Sequence, residues 1–205
     1  VNQREALLAG AKQCLIEKGY GRTTARDITA ASGAHLGSIG YHFGSKDRLM
    51  NAAALELTSE WGDTITAAAR AAGGATPVER LTALINELLQ RLPASRDLHS
   101  ASLHAFAQAQ VDDELRQQLA HGLTGARCAL AAVVLGVPQI EPGSATERGL
   151  GVLVSSLVTG LIAQVLVDPD AVRDPTVVRN AIAQLVPTDL GQHQRAINGP
   201  TVGIG

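Results

Sequence analysis

Apolar residues recur along this chain at intervals of three and four, the period of a helix face. No convincing stretch alternates like a strand bounded by turns. Leu8, Ala11 and Leu15 mark one such face near the start. Helix starts carry capping sequences. Thr24 is followed three residues later by Asp27, and Ser144 by Glu147. In each pair a hydroxyl can take a free backbone N–H of the first turn while the acid reaches back. Thr76-Pro77-Val78-Glu79 adds a proline at the first helical position, and Asp174-Pro175 opens the last periodic run. Gly19, Gly33, Gly73-Gly74, Gly136 and Pro187 each end a run. The pattern predicts about nine helices, over roughly 3–18, 24–31, 35–43, 45–71, 76–92, 95–109, 112–135, 144–168 and 174–186. The fold class is all-α, with three short, closely joined helices followed by a bundle of long ones. Three divisions follow: residues 1–47, residues 48–187, and a polar, Gly-containing stretch over 188–205 expected to be a disordered tail.

Residues 24–43 read TARDITAASGAHLGSIGYHF. A first helix turns at Ser32-Gly33 into a second short one. Ile28, Ala31, Ile39 and Phe43 are the apolar positions expected to pack the two together against Leu8, Ala11 and Leu15. The tight turn calls for a left-handed residue at Gly33. The outer face of the second helix then carries His35, Gly37, Ser38, Gly40, Tyr41 and His42. A helix with few bulky outward side chains can sit deep in a major groove with its first turn at the base edges. Tyr41 and His42, with Lys46 beyond, could hold phosphates; the alternative for Tyr41 is packing on helix 45–71. Thr24 and Arg26, at the start of the preceding helix, offer backbone donors and a positive dipole end to another phosphate.

Composition changes the picture in three places. Aromatics are 2% of the chain, so the core must be built from Leu, Val, Ile and Ala. The net charge of −2 hides an asymmetry: residues 1–50 hold seven Lys/Arg against four Asp/Glu, and residues 51–205 ten against fifteen. A basic head on an acidic body fits a head that meets an anion. Cys14 and Cys128 read as reduced thiols of a cytoplasmic protein, and no signal peptide opens the sequence. The uncharged run at 149–167 approaches the length of a membrane span. Its Ser155, Ser156, Thr159 and Gln164, and its acidic flank at Asp168 and Asp170, favour a helix buried in protein over a membrane partner.

Residues 19–50, GYGRTTARDITAASGAHLGSIGYHFGSKDRLM, resemble the DNA-binding domain of the tetracycline-repressor (TetR) family. The Thr23-Thr24 pair, Ile28, the Ser-Gly turn, Gly37-Ser38-Ile39, Tyr41-His42-Phe43 and Ser45-Lys46-Asp47 all fall at the family's spacing. The resemblance implies phosphate contacts from Thr24, Tyr41, His42 and Lys46, and base contacts from His35, Leu36 and Ser38. Two departures stand out. Gly40 replaces a common aromatic, and His35 stands where the family often has a Ser or Thr cap.

The body carries the remaining expectations. Helix 144–168 has one stripe of Leu150, Leu153, Leu157 and Leu161, and an opposite side of Val152, Ser156, Thr159 and Ala163. Burying two faces needs a second partner. Ser156 and Gly160 permit close helix approach, and helix 174–186 adds Val178, Ile182 and Leu185. These two helices are expected to pair with their copies in an isologous homodimer, as the resemblance also implies. A monomeric core is the alternative. Helices over 45–135 could enclose an aliphatic effector pocket lined by Met50, Leu57, Trp61, Leu84, Leu88, Leu103 and Phe106, with His99, His104, His121 and Ser155 as polar contacts. The six histidines have no metal-ligand spacing, and no nucleophile elbow, Walker sequence or dinucleotide turn is present. The expectation is a non-enzymatic repressor without cofactor. It would bind a pseudo-palindromic operator as a homodimer and be released by a small, largely apolar effector. The alternative is a helical binding or interaction domain without working DNA readout.

Overall fold

The computed structural model describes residues 2–172 and 174–185. Among them are nine α-helices and no strand: α1 (Gln3–Lys18), α2 (Ala25–Ser32), α3 (Leu36–Phe43), α4 (Lys46–Ala72), α5 (Pro77–Arg91), α6 (Arg96–Gln108), α7 (Asp113–Leu135), α8 (Val152–Val167) and α9 (Pro175–Leu185). A 3-10 turn, Leu92–Ser95, joins α5 to α6, and a π-helical turn, Glu147–Gly151, leads into α8. Residues 188–205, the expected tail, lie outside the described residues, as does the side chain of Leu185.

The predicted caps form. Thr24 and Thr76 each accept from the N–H three residues on, and Asp27 and Glu79 reach back to complete the boxes. The Ser144 box forms only in half: Ser144 Oγ accepts from Glu147 N at 3.1 Å, while the Glu147 carboxylate takes Gly143 N and Arg127 and Ser144 N donates to the Glu141 carbonyl. Gly33 takes the left-handed conformation at φ 68° that its turn requires.

α1, α2 and α3 close on the start of α4 around Leu7, Leu8, Ala11, Leu15, Ile28, Ile39, Leu49 and Met50. Ala31, expected in this core, faces solvent. The close contact of α2 with α1 is made instead at Gly10. A Cβ on Gly10 would stand 2.9 Å from Ser32 Cβ and 3.0 Å from the Ile28 carbonyl oxygen. α1 and α2 therefore touch backbone to backbone, and no side chain fits between them.

The body packs α4 against α5, α6 and α7, with α7 on α8 and α9 on α5. One cluster gathers Ile65, Ala69, Leu84, Val133 and Val154, and a second gathers Ile85, Leu88, Leu161, Ile162 and Ile182. Gly151 permits the π-helical turn to approach α7, since a Cβ there would lie 2.8 Å from the Arg127 carbonyl oxygen. Glu147, buried at the same crossing, forms an ion pair with Arg127 at 2.5 Å. Asp113–Leu135 and Glu147–Val167 are each long and apolar enough to cross a membrane by length and composition.

Replacing Gly10 by Ala forces α1 and α2 apart. A loss of about 1–3 kcal/mol is expected in urea unfolding, the cost of overpacking a tight contact. Ala at Gly21, where a Cβ meets nothing within 4 Å, should leave stability near that of the parent.

Candidate nucleic-acid interface

α3 is anchored from beneath. Ile39 is buried, and Phe43 packs against the head core with the Arg4 guanidinium 5.0 Å above its ring. At 3.6 residues per turn this leaves Gly37, Gly40 and Tyr41 outward. A Cβ at either glycine would meet nothing within 4 Å. Tyr41 is 86% exposed, so it does not pack on α4, and its ring meets His42 edge-on at 4.8 Å. His35 precedes α3 in an extended conformation and makes no side-chain cap. Leu36 is 55% exposed, and Ser38 is partly buried.

The flanking groups are held differently from one another. Thr24 Oγ1 donates to Asp27 Oδ2 at 2.7 Å while accepting from Asp27 N at 3.2 Å. Its hydroxyl is thereby committed to the cap. Asp27 also takes Lys18 Nζ at 2.5 Å. That contact and the Thr24 bonds hold its carboxyl well below the usual range. Lys46 Nζ donates to the Thr23 carbonyl at 3.3 Å and lies 5.9 Å from the Tyr20 ring centre. Arg26 is exposed and has no ion-pair partner among the described residues.

The effector-pocket residues are scattered. Met50 and Leu57 belong to the head core. Trp61 bridges the two body clusters, Leu84 lies in one and Leu88 in the other, and Ser155 is buried. Phe106 packs on a separate cluster with Leu115 and Leu119, and Leu103 is half-buried. His104 is exposed, its ring 5.3 Å from that of Tyr20. His121 lines a groove of about 810 Å³ between the head and α7. His99 is 2% exposed, and its ring stands edge-on to Trp61 at 4.3 Å. Among the described residues its Nε2 is the one fully buried side-chain nitrogen or oxygen without a hydrogen-bond partner.

The expected dimer set divides as well. Leu153 and Leu157 face outward, 69% and 37% exposed, with Ser156 also exposed and Thr159 and Gly160 half-buried. Leu150, Leu161, Val178 and Ile182 turn into their own protomer. The leucines of the Leu150–Leu161 stripe are thus unequally exposed within the protomer. The helix turns its leucines to two sides, because Val154, Ser155, Leu161 and Ile162 define the buried face.

Residues 7–53 match the family described as bacterial regulatory proteins, tetR family. Residues 77–190, more than half of the chain, match the C-terminal domain of BetI-type transcriptional repressors. The chain belongs to the TetR family. This TetR regulator is 38% identical over 66 residues to the transcriptional repressor AcnR of Corynebacterium efficiens, a match covering 32% of this chain and 35% of AcnR. It is 28% identical over 146 residues to the transcriptional regulator BetI of Rhizobium meliloti, covering 71% of this chain and 70% of BetI. Its fold matches the multidrug binding protein EbrR complexed with proflavin, with TM-score 0.65, 23% identity, and 90% and 100% of the two chains covered.

Several contacts escaped the TetR motif. Tyr20 donates to Asn51 Oδ1 at 2.9 Å, and burial pushes its phenol up to about 12. Arg48 reaches Asp112 and Glu114, each at 3.2 Å, and so ties the start of α4 to α7. Both span long stretches of sequence with no local signal. A Pro- and Gly-free run at 46–61 could have suggested only that α4 is continuous.

Burial pushes the His99 imidazole down to about 4 from an ordinary 6.5. The unfolded chain therefore binds a proton in this window that the folded protein refuses, and stability should fall as pH drops from about 6.5 toward 4. His99→Leu should flatten that slope in unfolding measured across the same pH range. Thr24→Val, which removes the α2 cap, should cost about 1 kcal/mol of head stability, read in the same experiment at neutral pH.

Proposed function

We propose that the protein is a repressor that binds a pseudo-palindromic operator in the cytoplasm as a homodimer and is released by a small, largely apolar effector. The observation that carries this reading is the slim outer face of α3, with Gly37 and Gly40 open to solvent and Leu36 and Tyr41 standing exposed beside them. Such a face can enter a major groove closely. His35, Leu36, Gly37, Ser38 and Gly40 meet base edges. Tyr41, His42, Lys46 and Arg26 hold phosphates, and Thr24 contributes through the α2 terminus it caps.

One α3 reads only a few base pairs, so a second copy is needed for a specific site. Leu153, Ser156, Leu157, Thr159 and Gly160 present the surface that pairs with it, supported by the exposed Val152. The effector is assigned to the body beside Trp61, the ring that packs on both aliphatic clusters and against His99. Its binding biases α4, which reaches both the head and this interior. By reciprocity, operator DNA weakens effector binding by the same factor.

Selection from a random duplex library should enrich a pseudo-palindrome whose affinity falls as salt rises. Binding no tighter than about 10 micromolar to any duplex at physiological salt, with nothing enriched, would defeat this reading. Leu153→Glu combined with Leu157→Glu should give a folded monomer in sedimentation and weaken the selected operator by at least about tenfold. An unchanged dimer would place the interface elsewhere.

A further inference from the structure

Leu36 is the first residue of α3, and its side chain is more than half exposed at the tip of the reading helix. One turn on along the same edge comes Gly40, and next to it on the outer surface comes Gly37; neither has a side chain to share the contact. His35 and Ser38 beside it can donate or accept hydrogen bonds. Leu36 can do neither. Elsewhere on the head Arg4, Arg26 and Arg48 are exposed, Arg48 in ion pairs with Asp112 and Glu114.

A major groove offers one apolar group at the base edges, the C5-methyl of thymine. A leucine pressed instead on the amino group of cytosine or the oxygen of guanine removes water from a polar edge and returns no hydrogen bond, which is penalised. The glycines at 37 and 40 let the backbone approach closely enough for a short branched side chain to reach that depth.

We infer that Leu36 is a specificity-determining residue that selects thymine, through its methyl group, at one symmetric position in each half-site of the operator. The inference rests on the DNA-reading function proposed above. Arg26 and Lys46 set the strength of binding to any duplex, and Leu36 sets the identity of one base.

The test starts from the operator enriched by the wild-type protein. Each thymine in the half-site is replaced in turn by uracil, which deletes the methyl and leaves the hydrogen-bonding edge intact. At one symmetric position the wild-type protein should bind uracil about three- to fivefold more weakly per half-site, the effect of one methyl lost from apolar contact. Leu36→Ala should bind the thymine and uracil sites equally at that position and keep its preferences elsewhere. Its melting temperature should match the parent's, since the side chain is largely outside the core. If the wild-type protein tolerates uracil at every position, or if Leu36→Ala still discriminates against it, the inference is overturned while the regulator reading stands. If no sequence is enriched at all, the regulator reading falls and the inference with it.

Discussion

The structure turns on one uninterrupted helix that belongs to two cores. The first turns of α4 bury Leu49, Met50, Ala53 and Ala54 in the head, and its later turns bury Ile65 and Ala69 in the body. Its 27 residues span about 40 Å. No proline interrupts it. The head is oriented by the body through α4 and through Leu98 and Ala101 of α6, which pack into the head core. Arg48 adds a second tether, reaching from the first turn of α4 to Asp112 and Glu114 at the start of α7. In a two-fold dimer, half-site spacing is a matter of angle between two such helices.

A core poor in aromatics makes the position of each one informative. Phe43 ends the reading helix and lies under Arg4 of α1. Tyr20 closes the loop before α2 onto Asn51 of α4 and the ring of His104 on α6. Trp61 stands between the two body clusters, against His99. Each of these rings meets more than one helix or cluster, which a large rigid side chain can do. The aliphatic clusters do the filling within a unit. The buried Nε2 of His99, without a hydrogen-bond partner among the described residues, sits beside one of these rings.

What the sequence revealed follows the range of the forces involved. Helix ends were legible because caps are local: Thr24 with Asp27, Thr76 with Glu79 and the left-handed Gly33 each act within four residues. The outer face of α3 was legible for the same reason, since one buried residue, Ile39, fixes the rotation of a helix this short. Longer helices were harder. On α8 the spacing of leucines suggested one stripe, but Leu161 is buried and Leu153 faces solvent. A helix apolar on every side carries no periodic signal for its rotation. The contact of Gly10 with Ser32 and the scatter of the effector residues were invisible. Both depend on where separate helices cross, which no local pattern encodes.

The distribution of caps separates support from reading. α2 has a complete capping box, reinforced by Lys18 on Asp27, and α4 starts with Ser45 accepting from Arg48 N at 3.1 Å. α3, between them, has no side-chain cap at His35. A helix of eight residues is not stable alone. Here it is held from its flanks, through Ile39 below and Phe43 at its end, and not through its own terminus. Among the described residues no side chain caps its first backbone N–H groups, and Ser38 N donates to the His35 carbonyl at 3.0 Å. Placing local stability in the supporting helices leaves the residues of the first turn free to vary with the sequence being read. This lets a family keep one scaffold while its members recognise different sites.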